Sequence, residues 1–184
     1  GNVFFVQGRA QAEMAYLRLK SQRLVAVHVQ LASLEAGSEI SMVEIASVLQ
    51  ITQDDSFILD SVFVFDLMVE EEDVRNDIVN VLKQILQTPT DDASEYAQRI
   101  CLFHDASHHL AILKNQLGIH VSNILDTQVA FRMLMDMKRK NDSLVSAEDQ
   151  SAKQAPSLRN LLQRFQIMEE AYDTDLQDPS FWRT

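Results

Sequence analysis

The chain has 184 residues, 46% of them hydrophobic, with a formal net charge of −11 and a pI of about 4.8. This composition predicts one globular domain with a real core, and the negative charge excludes a surface that binds nucleic acid along its whole extent. No apolar run approaches the ~20 residues needed to cross a bilayer, and the amino terminus lacks a signal-peptide pattern, so we expect a soluble cytoplasmic protein with no membrane partner.

The amino-terminal half predicts a short edge strand, one helix and three longer strands. Apolar residues at helical spacing place the helix from Arg9 to Gln22. The strands are expected at residues 3–6, Leu24–Leu31, Glu39–Ser47 and Val62–Leu67. The last of these is apolar on both faces, so it should lie in the interior of a sheet.

The strand Leu24–Leu31 alternates between two faces with a period of two residues. One face is apolar and carries Val25, Val27, Val29 and Leu31. The opposite face carries Leu24, Ala26, His28 and Gln30. The two polar side chains, His28 and Gln30, are therefore expected on the same side of the sheet.

The next helix should begin at the acidic run from Glu70 to Asp73, because negative charge suits the amino end of a helix. Its predicted buried stripe comprises Val74, Ile78, Val81, Leu82 and Ile85. The polar run from Thr88 to Glu95 predicts a loop, which leads to a strand at Ile100–Phe103. The single cysteine, Cys101, lies in that strand and is interpreted as a core thiol in a reducing compartment.

The stretch from Ile100 to Ala130 has the order strand, helix, strand, helix. A polar corner, His104-Asp105, follows the first strand, and the helix after it should bury Leu110, Leu113 and Leu117 and end at Gly118. The second strand is expected at Val121–Leu125. Asp126 and Thr127 then serve as N-cap residues of a helix that carries Ala130, Met133, Leu134 and Met137.

Two neighbouring strands joined by a crossover helix should be parallel, with a right-handed connection. Such units bind ligands at the carboxyl ends of their strands, so the polar corner after Phe103 is where we expect a site. Residues 141–156 predict a mobile surface loop, and Pro156 and Ser157 open a final helix. The whole predicts one α/β domain over residues 1–184, a ribonuclease H-like mixed sheet of three antiparallel and then two parallel strands, flanked by helices.

These residues also resemble a known family. A strand that ends in Phe103–Asp105, a helix that ends in Gln116–Ile119, and the run Asp126–Ala130 after a strand are similar to the second half of a DEDD-type 3′-to-5′ exonuclease domain of the ribonuclease D-like group. Within that group, the chain is most similar to the exonuclease 3′-to-5′ domain-containing proteins of the animal piRNA pathway and to their relative Egalitarian. The order and spacing of elements extend the likeness over roughly the whole chain.

The resemblance implies where the chemistry should be. In the family, four carboxylates hold two divalent metal ions, which activate a water and stabilise the leaving oxygen. The first two acids stand in a strand as Asp-x-Glu, and the likeness places them at His28 and Gln30. It places the third at His109, on the helix after the strand-end histidine. The fourth belongs to a helix that should begin near Trp182, so we expect the domain to lack its final helix.

Magnesium prefers hard, charged oxygen ligands, which histidine and glutamine do not supply. We therefore expect His28, Gln30 and His109 to be degenerate positions, with no metal ion, no cofactor and no catalysis. A shifted alignment would make Asp105 the third acid, although we interpret Asp105 as a helix cap beside Ser107.

The histidines at 28, 104, 108 and 109 could instead converge as nitrogen ligands for zinc or manganese. The adjacent His108 and His109, however, point about 100° apart on a helix, so they cannot both face one ion. RNA binding by so acidic a chain needs a local basic patch. Candidates are Lys138, Arg139 and Lys140, which would equally suit a helix carboxyl end, and the basic residues near the amino end, Arg9, Arg18, Lys20 and Arg23.

The resemblance implies a catalytically inactive adaptor that binds RNA and acts in piRNA biogenesis and gene silencing with PIWI and Tudor-domain proteins. It also implies a homodimer, to which the methionines at 133, 135 and 137 could contribute as core or interface residues. The alternatives are an active metal-dependent 3′-to-5′ exoribonuclease that uses Asp105, and an Egalitarian-like adaptor for messenger RNA transport. Because an Lsm-like domain precedes the nuclease domain in the family, we expect this chain to be a fragment.

Overall fold

The computed structural model describes residues 2–35, 37–51, 57–87 and 99–141. The chain divides into two compact units, residues 1–127 and residues 128–184. The described elements are, in chain order, β1 (Asn2–Val6), α1 (Arg9–Leu19), β2 (Leu24–Leu31), β3 (Ile40–Ile51), β4 (Phe57–Asp66), α2 (Glu72–Leu86), β5 (Ile100–Phe103), α3 (Ala106–Leu117), β6 (Ile124–Asp126) and α4 (Thr127–Asn141).

The described strands of the first unit form one mixed sheet in the order β1-β4-β3-β2-β5-β6. β3 is antiparallel to both of its neighbours, β2 and β4, whereas β5 pairs parallel to β2 and β6 parallel to β5. β1 lies at one edge of the sheet and pairs parallel to β4. The predicted fold class, a ribonuclease H-like sheet of three antiparallel and then two parallel strands, is confirmed.

One face of β2 belongs to the core and the other carries the polar side chains. Val25, Val27 and Val29 are buried, while His28 is exposed and Gln30 half-buried. The predicted alternation is therefore confirmed. α1 contributes Ala12, Ala15 and Leu19 to the core, and α2 contributes Ile78, Leu82, Ile85 and Leu86.

Several predicted boundaries were wrong. β3 continues past Ser47 to Ile51, and β4 begins at Phe57 rather than Val62, because the two strands pair with each other as far as Ile51 and Phe57. A strand's length depends on its partner as well as on its own alternation. The final strand β6 is Ile124–Asp126 rather than Val121–Leu125, since Asn123 has a left-handed backbone with φ 53°.

The first helix ends at Leu19 rather than Gln22, where the side chain of Arg99 meets the helix end. The Arg99 guanidinium is buried and donates to the carbonyls of Leu19 at 2.9 Å, Lys20 at 2.7 Å and Gln22 at 2.9 Å. It also donates to the carbonyl of Ile85 in the last turn of α2. One cation thus satisfies terminal carbonyls of two helices, where a positive charge also complements both dipoles.

α3 ends as predicted at Gly118, whose φ of 63° is in the left-handed region that favours glycine. Cys101 is buried, and burial raises the pKa of its thiol to about 11, which confirms a core thiol. The predicted loop at Thr88–Glu95, nearly all of the loop at 141–156 and the final helix lie outside the described residues. Within the described parts of the chain, no helix is long and apolar enough to span a membrane.

Candidate functional site

The site lies where β2, β5 and the first turn of α3 meet. β2 presents His28 on its polar face, and α3 presents His109 toward the same place. Their rings lie 5.2 Å apart between centroids, at an angle of 66°. The structure therefore brings together two of the three positions that the sequence singled out. Gln30 shares the polar face of β2 with His28, and its backbone carbonyl accepts a hydrogen bond from Ser41 Oγ at 3.1 Å.

His109 is the buried member of the pair. Its exposed fraction is 9%, and its Nδ1 is buried without a hydrogen-bond partner among the described residues. The ring of Phe103 lies 6.2 Å away and that of His108 lies 5.9 Å away. Burial, followed by the charges of His28 and His108, lowers the pKa of His109 to about 4. The imidazole is therefore neutral at pH 7.

The unpartnered Nδ1 also indicates the tautomer of His109. Among buried polar groups, an N–H without a partner is rarer in folded proteins than an acceptor without one. We therefore assign the ring hydrogen to Nε2 and the lone pair to Nδ1. The site thus contains a neutral hydrogen-bond donor at His109 beside the exposed imidazole of His28.

Two carboxylates border this histidine pair. Glu44 is the cross-strand neighbour of His28 in the β2–β3 ladder, and Asp105 directly precedes α3. The charge of Asp105 acts on His109 in the opposite sense to burial and favours its protonation. Across the described ranges, no group of three or more His, Cys, Asp or Glu side chains is arranged to hold a metal ion.

The polar corner after β5 links the start of α3 to the start of α4. Asp126 Oδ2 accepts a hydrogen bond from the backbone N–H of Ala106 at 2.9 Å, so Asp126 caps α3. His104 Nδ1 lies 2.8 Å from Thr127 Oγ1. Both contacts connect residues at the carboxyl ends of the neighbouring parallel strands β5 and β6, where the sequence predicted the site.

The predicted capping role of Asp105 was wrong. Asp105 occupies the N-cap position of α3, but its side chain makes no capping hydrogen bond. Its left-handed backbone, with φ 58°, directs the carboxylate elsewhere, and Ser107 Oγ donates to Asp105 Oδ1 at 3.3 Å. The first turn of α3 is capped instead by Asp126, which the sequence had assigned only to α4.

The amino-terminal basic candidates include two that take part in contacts within the domain. Arg9 forms an ion pair with Asp77 at 2.7 Å, and the Arg18 guanidinium lies 4.8 Å from the ring centroid of Phe4. Lys138, Arg139 and Lys140 belong to the last turns of α4, but their side chains lie outside what the structure describes.

The core interpretation of the α4 methionines was wrong for two of them. Met133 and Met137 are 62% and 61% exposed, as is Leu134 at 53%. Met135 is half-buried. An interface role for these residues stays a prediction.

Sequence reasoning missed the roles of Arg99 and of Thr127. The sequence offered one indication of the role of Arg99, which is that a single charged residue directly precedes an apolar strand. Thr127 was assigned to a helix cap, whereas its hydroxyl also meets His104 across the corner.

Solved structures give a clear set of similar folds. Trypanosoma brucei RNase D in complex with RNA U12 matches 99% of this chain and 57% of its own, with a TM-score of 0.55 and 18% identity. The Aedes aegypti Nibbler EXO domain matches 74% of this chain and 57% of its own, with a TM-score of 0.54 and 17% identity. The EXD2 exonuclease domain matches 90% and 83%, with a TM-score of 0.51 and 13% identity.

This chain spans about half the length of the RNase D chains that it matches. No protein-family model matches it, and no curated protein is significantly similar in sequence. Identities this low support a shared fold and no more. The chain therefore has a ribonuclease H-like fold similar to the folds of RNase D, the Nibbler EXO domain and the EXD2 exonuclease domain.

Proposed function

We propose that this domain binds RNA at the site formed by His28 and His109 and does not hydrolyse it. The observation that carries the proposal is the 5.2 Å separation of the two rings. The resemblance assigns these positions to the first and third metal-binding acids, on two different elements. Because the two side chains meet, an error in the alignment is a poor explanation for the missing carboxylates.

The chemistry of the remaining groups also supports the proposal. Hydrolysis of a phosphodiester by this family depends on metal ions that activate a water and stabilise the leaving oxygen. The histidines offer nitrogen atoms in place of carboxylates, and His109 is neutral at pH 7 because its pKa is about 4. The residues of a metal-binding set act as a unit, so replacing several of them does not lower activity by a sum of separate losses. We expect the activity to be lost as a whole.

RNA is the ligand class that the fold suggests. RNase D from Trypanosoma brucei, which has a similar fold, has been solved in complex with RNA U12. In this domain, imidazole N–H groups can donate hydrogen bonds to phosphate oxygens directly. Such binding would not require a metal ion.

The test uses a single-stranded oligouridine with a fluorescent label at its 5′ end, incubated with the full chain and either magnesium or manganese. We expect the fluorescence anisotropy to rise while the RNA stays full length on a denaturing gel. His28→Glu should weaken binding by placing a negative charge in the site, whereas the matched variant His120→Glu should not. Shortening of the RNA from its 3′ end, abolished by Asp105→Asn, would instead establish the metal-dependent exoribonuclease.

We further propose that the domain serves as an adaptor for PIWI and Tudor-domain proteins in piRNA biogenesis, as a cytoplasmic homodimer. This part rests on the resemblance of the segments Phe103–Asp105, Gln116–Ile119 and Asp126–Ala130. Pull-down with purified PIWI and Tudor-domain proteins tests the partners, and light scattering tests the dimer. Capture of a messenger RNA transport adaptor in place of these partners would favour the Egalitarian-like role.

A further inference from the structure

Four of the five histidines of this chain surround the same site. The rings of His28 and His108 lie 5.2 Å and 5.9 Å from that of His109, and the charge of His104 also acts on His109. The fifth, His120, is exposed and follows the end of α3. Imidazole is the side chain that ordinarily changes charge between pH 5 and 8, so a cluster of this kind can change the charge of a site.

We propose that binding of RNA phosphate at this site is coupled to proton uptake by His28 and His108, so that RNA affinity rises as the pH falls. The inference rests on the proposed function, because it specifies how the same site holds RNA without a metal ion. A phosphate group beside an imidazole stabilises its charged form. Binding and protonation therefore favour each other.

The rings of His28, His108 and His109 differ in burial, and they therefore have different roles. His28 and His108 are exposed, so solvent protons and a ligand can both reach them. His109 is nine-tenths buried between them, and its Nδ1 is without a partner in the described part of the chain. Protonation of His109 would place a hydrogen on the buried Nδ1, which has no acceptor among the described residues. His109 therefore stays neutral and can offer only its Nε2–H as a donor.

Three carboxylates of the described residues face the histidine cluster, so protonation of the cluster changes the sum of charges at the site. Glu44 of β3 stands beside His28, Asp105 precedes α3, and Asp126 ends β6 next to the first turn of α3. With neutral imidazoles, these carboxylates leave the site negative, and the chain as a whole carries −11. Two imidazolium groups would offset the charges of Glu44 and Asp105. His104, which contacts Thr127 through Nδ1, completes the set of titratable neighbours.

The first experiment measures the Kd of the labelled oligouridine in EDTA from pH 5.5 to 8, at constant ionic strength. Each proton taken up on binding can change Kd by up to about tenfold per pH unit. We expect the wild-type Kd to rise by at least about tenfold from pH 6 to pH 8. The double variant His28→Gln/His108→Gln should lose this rise, and His120→Gln should keep it.

The second experiment does not depend on RNA. Imidazole NMR signals of the full chain are titrated with pH in the presence and absence of inorganic phosphate. Phosphate should raise the pKa values of His28 and His108 and leave that of His120 unchanged. Because the substituted residues are exposed, circular dichroism should show that the variants fold.

The outcomes separate the two proposals. RNA binding with an equally steep pH dependence in the double variant would overturn proton coupling and leave the proposed function standing. Absence of RNA binding at every pH would overturn the proposed function. Phosphate-insensitive pKa values at His28 and His108 would overturn the coupling whatever the RNA result.

Discussion

The carboxylate of Asp126, at the end of β6, accepts a hydrogen bond from the backbone N–H of Ala106, the first residue of α3, at 2.9 Å. This cap links β6 to α3. Removal of a capping acceptor typically lowers the free energy of unfolding by about 1 kcal/mol. Asp126→Ala should lower the free energy of unfolding by about that amount in urea denaturation, and Asp126→Asn by less. Asp105→Ala is the matched control, because the Asp105 side chain makes no capping bond in the described part of the chain. An equal loss in that control would contradict the assignment.

Arg99 should be among the most sensitive positions in the domain. Its guanidinium serves carbonyls at the ends of both α1 and α2, and a buried acceptor left without a donor costs about 1–3 kcal/mol. Arg99→Met should therefore lower the free energy of unfolding by at least about 3 kcal/mol. Arg75→Met, which removes one hydrogen bond to the Leu67 carbonyl, should cost about 1 kcal/mol. Similar losses in the two variants, measured by urea denaturation, would refute the joint capping role.

His109 should make stability depend on pH. Burial lowers its folded pKa to about 4, so the unfolded chain takes up a proton near pH 6.5 while the folded chain does not. The contribution is fully present above pH 6.5 and is lost as the pH falls toward 4. Between pH 7 and pH 4.5, the wild type should lose roughly 2 kcal/mol more than His109→Leu in urea denaturation. His120→Gln should follow the wild type, and identical profiles for wild type and His109→Leu would contradict the shift.

Gly118 tests backbone strain apart from packing. Its φ is 63°, and an added Cβ would meet no atom of the described residues within 4 Å. Gly118→Ala should therefore cost about 1 kcal/mol from the left-handed conformation alone. Gly118→Asn should cost less, because asparagine tolerates that region better. Equal thermal melting temperatures for glycine and alanine would show that the helix end relaxes.

The sheet and the site's location could be predicted because both follow from local patterns. Alternation along β2 placed His28 and Gln30 on one face, and the strand-helix-strand order placed the polar corner at the carboxyl ends of β5 and β6. The meeting of His28 with His109 followed only from the family resemblance. Nothing in the spacing of residues 28 and 109 alone indicates contact.

The features that the sequence did not predict depend on contacts between residues that are far apart in the sequence. The extent of β3 and β4 is set by their mutual pairing, and the cap of α3 comes from Asp126, 20 residues further on. Asp105 has the residue type and position of a cap, but its backbone conformation removes it from that role. The position of Arg99 before an apolar strand did not indicate its partners, because they are main-chain carbonyls, which a pattern of side chains does not identify.

The hydrogen bonds of Arg99 also affect how the domain unfolds. Its carbonyl partners lie up to 80 residues earlier in the chain and 14 residues earlier at Ile85. If the end of either helix came loose, the buried Arg99 guanidinium would lose hydrogen-bond acceptors. Neither helix can therefore fray from that end independently of the other. Slow amide exchange next to residues 19 and 85 should therefore report cooperative, whole-unit opening rather than local breathing.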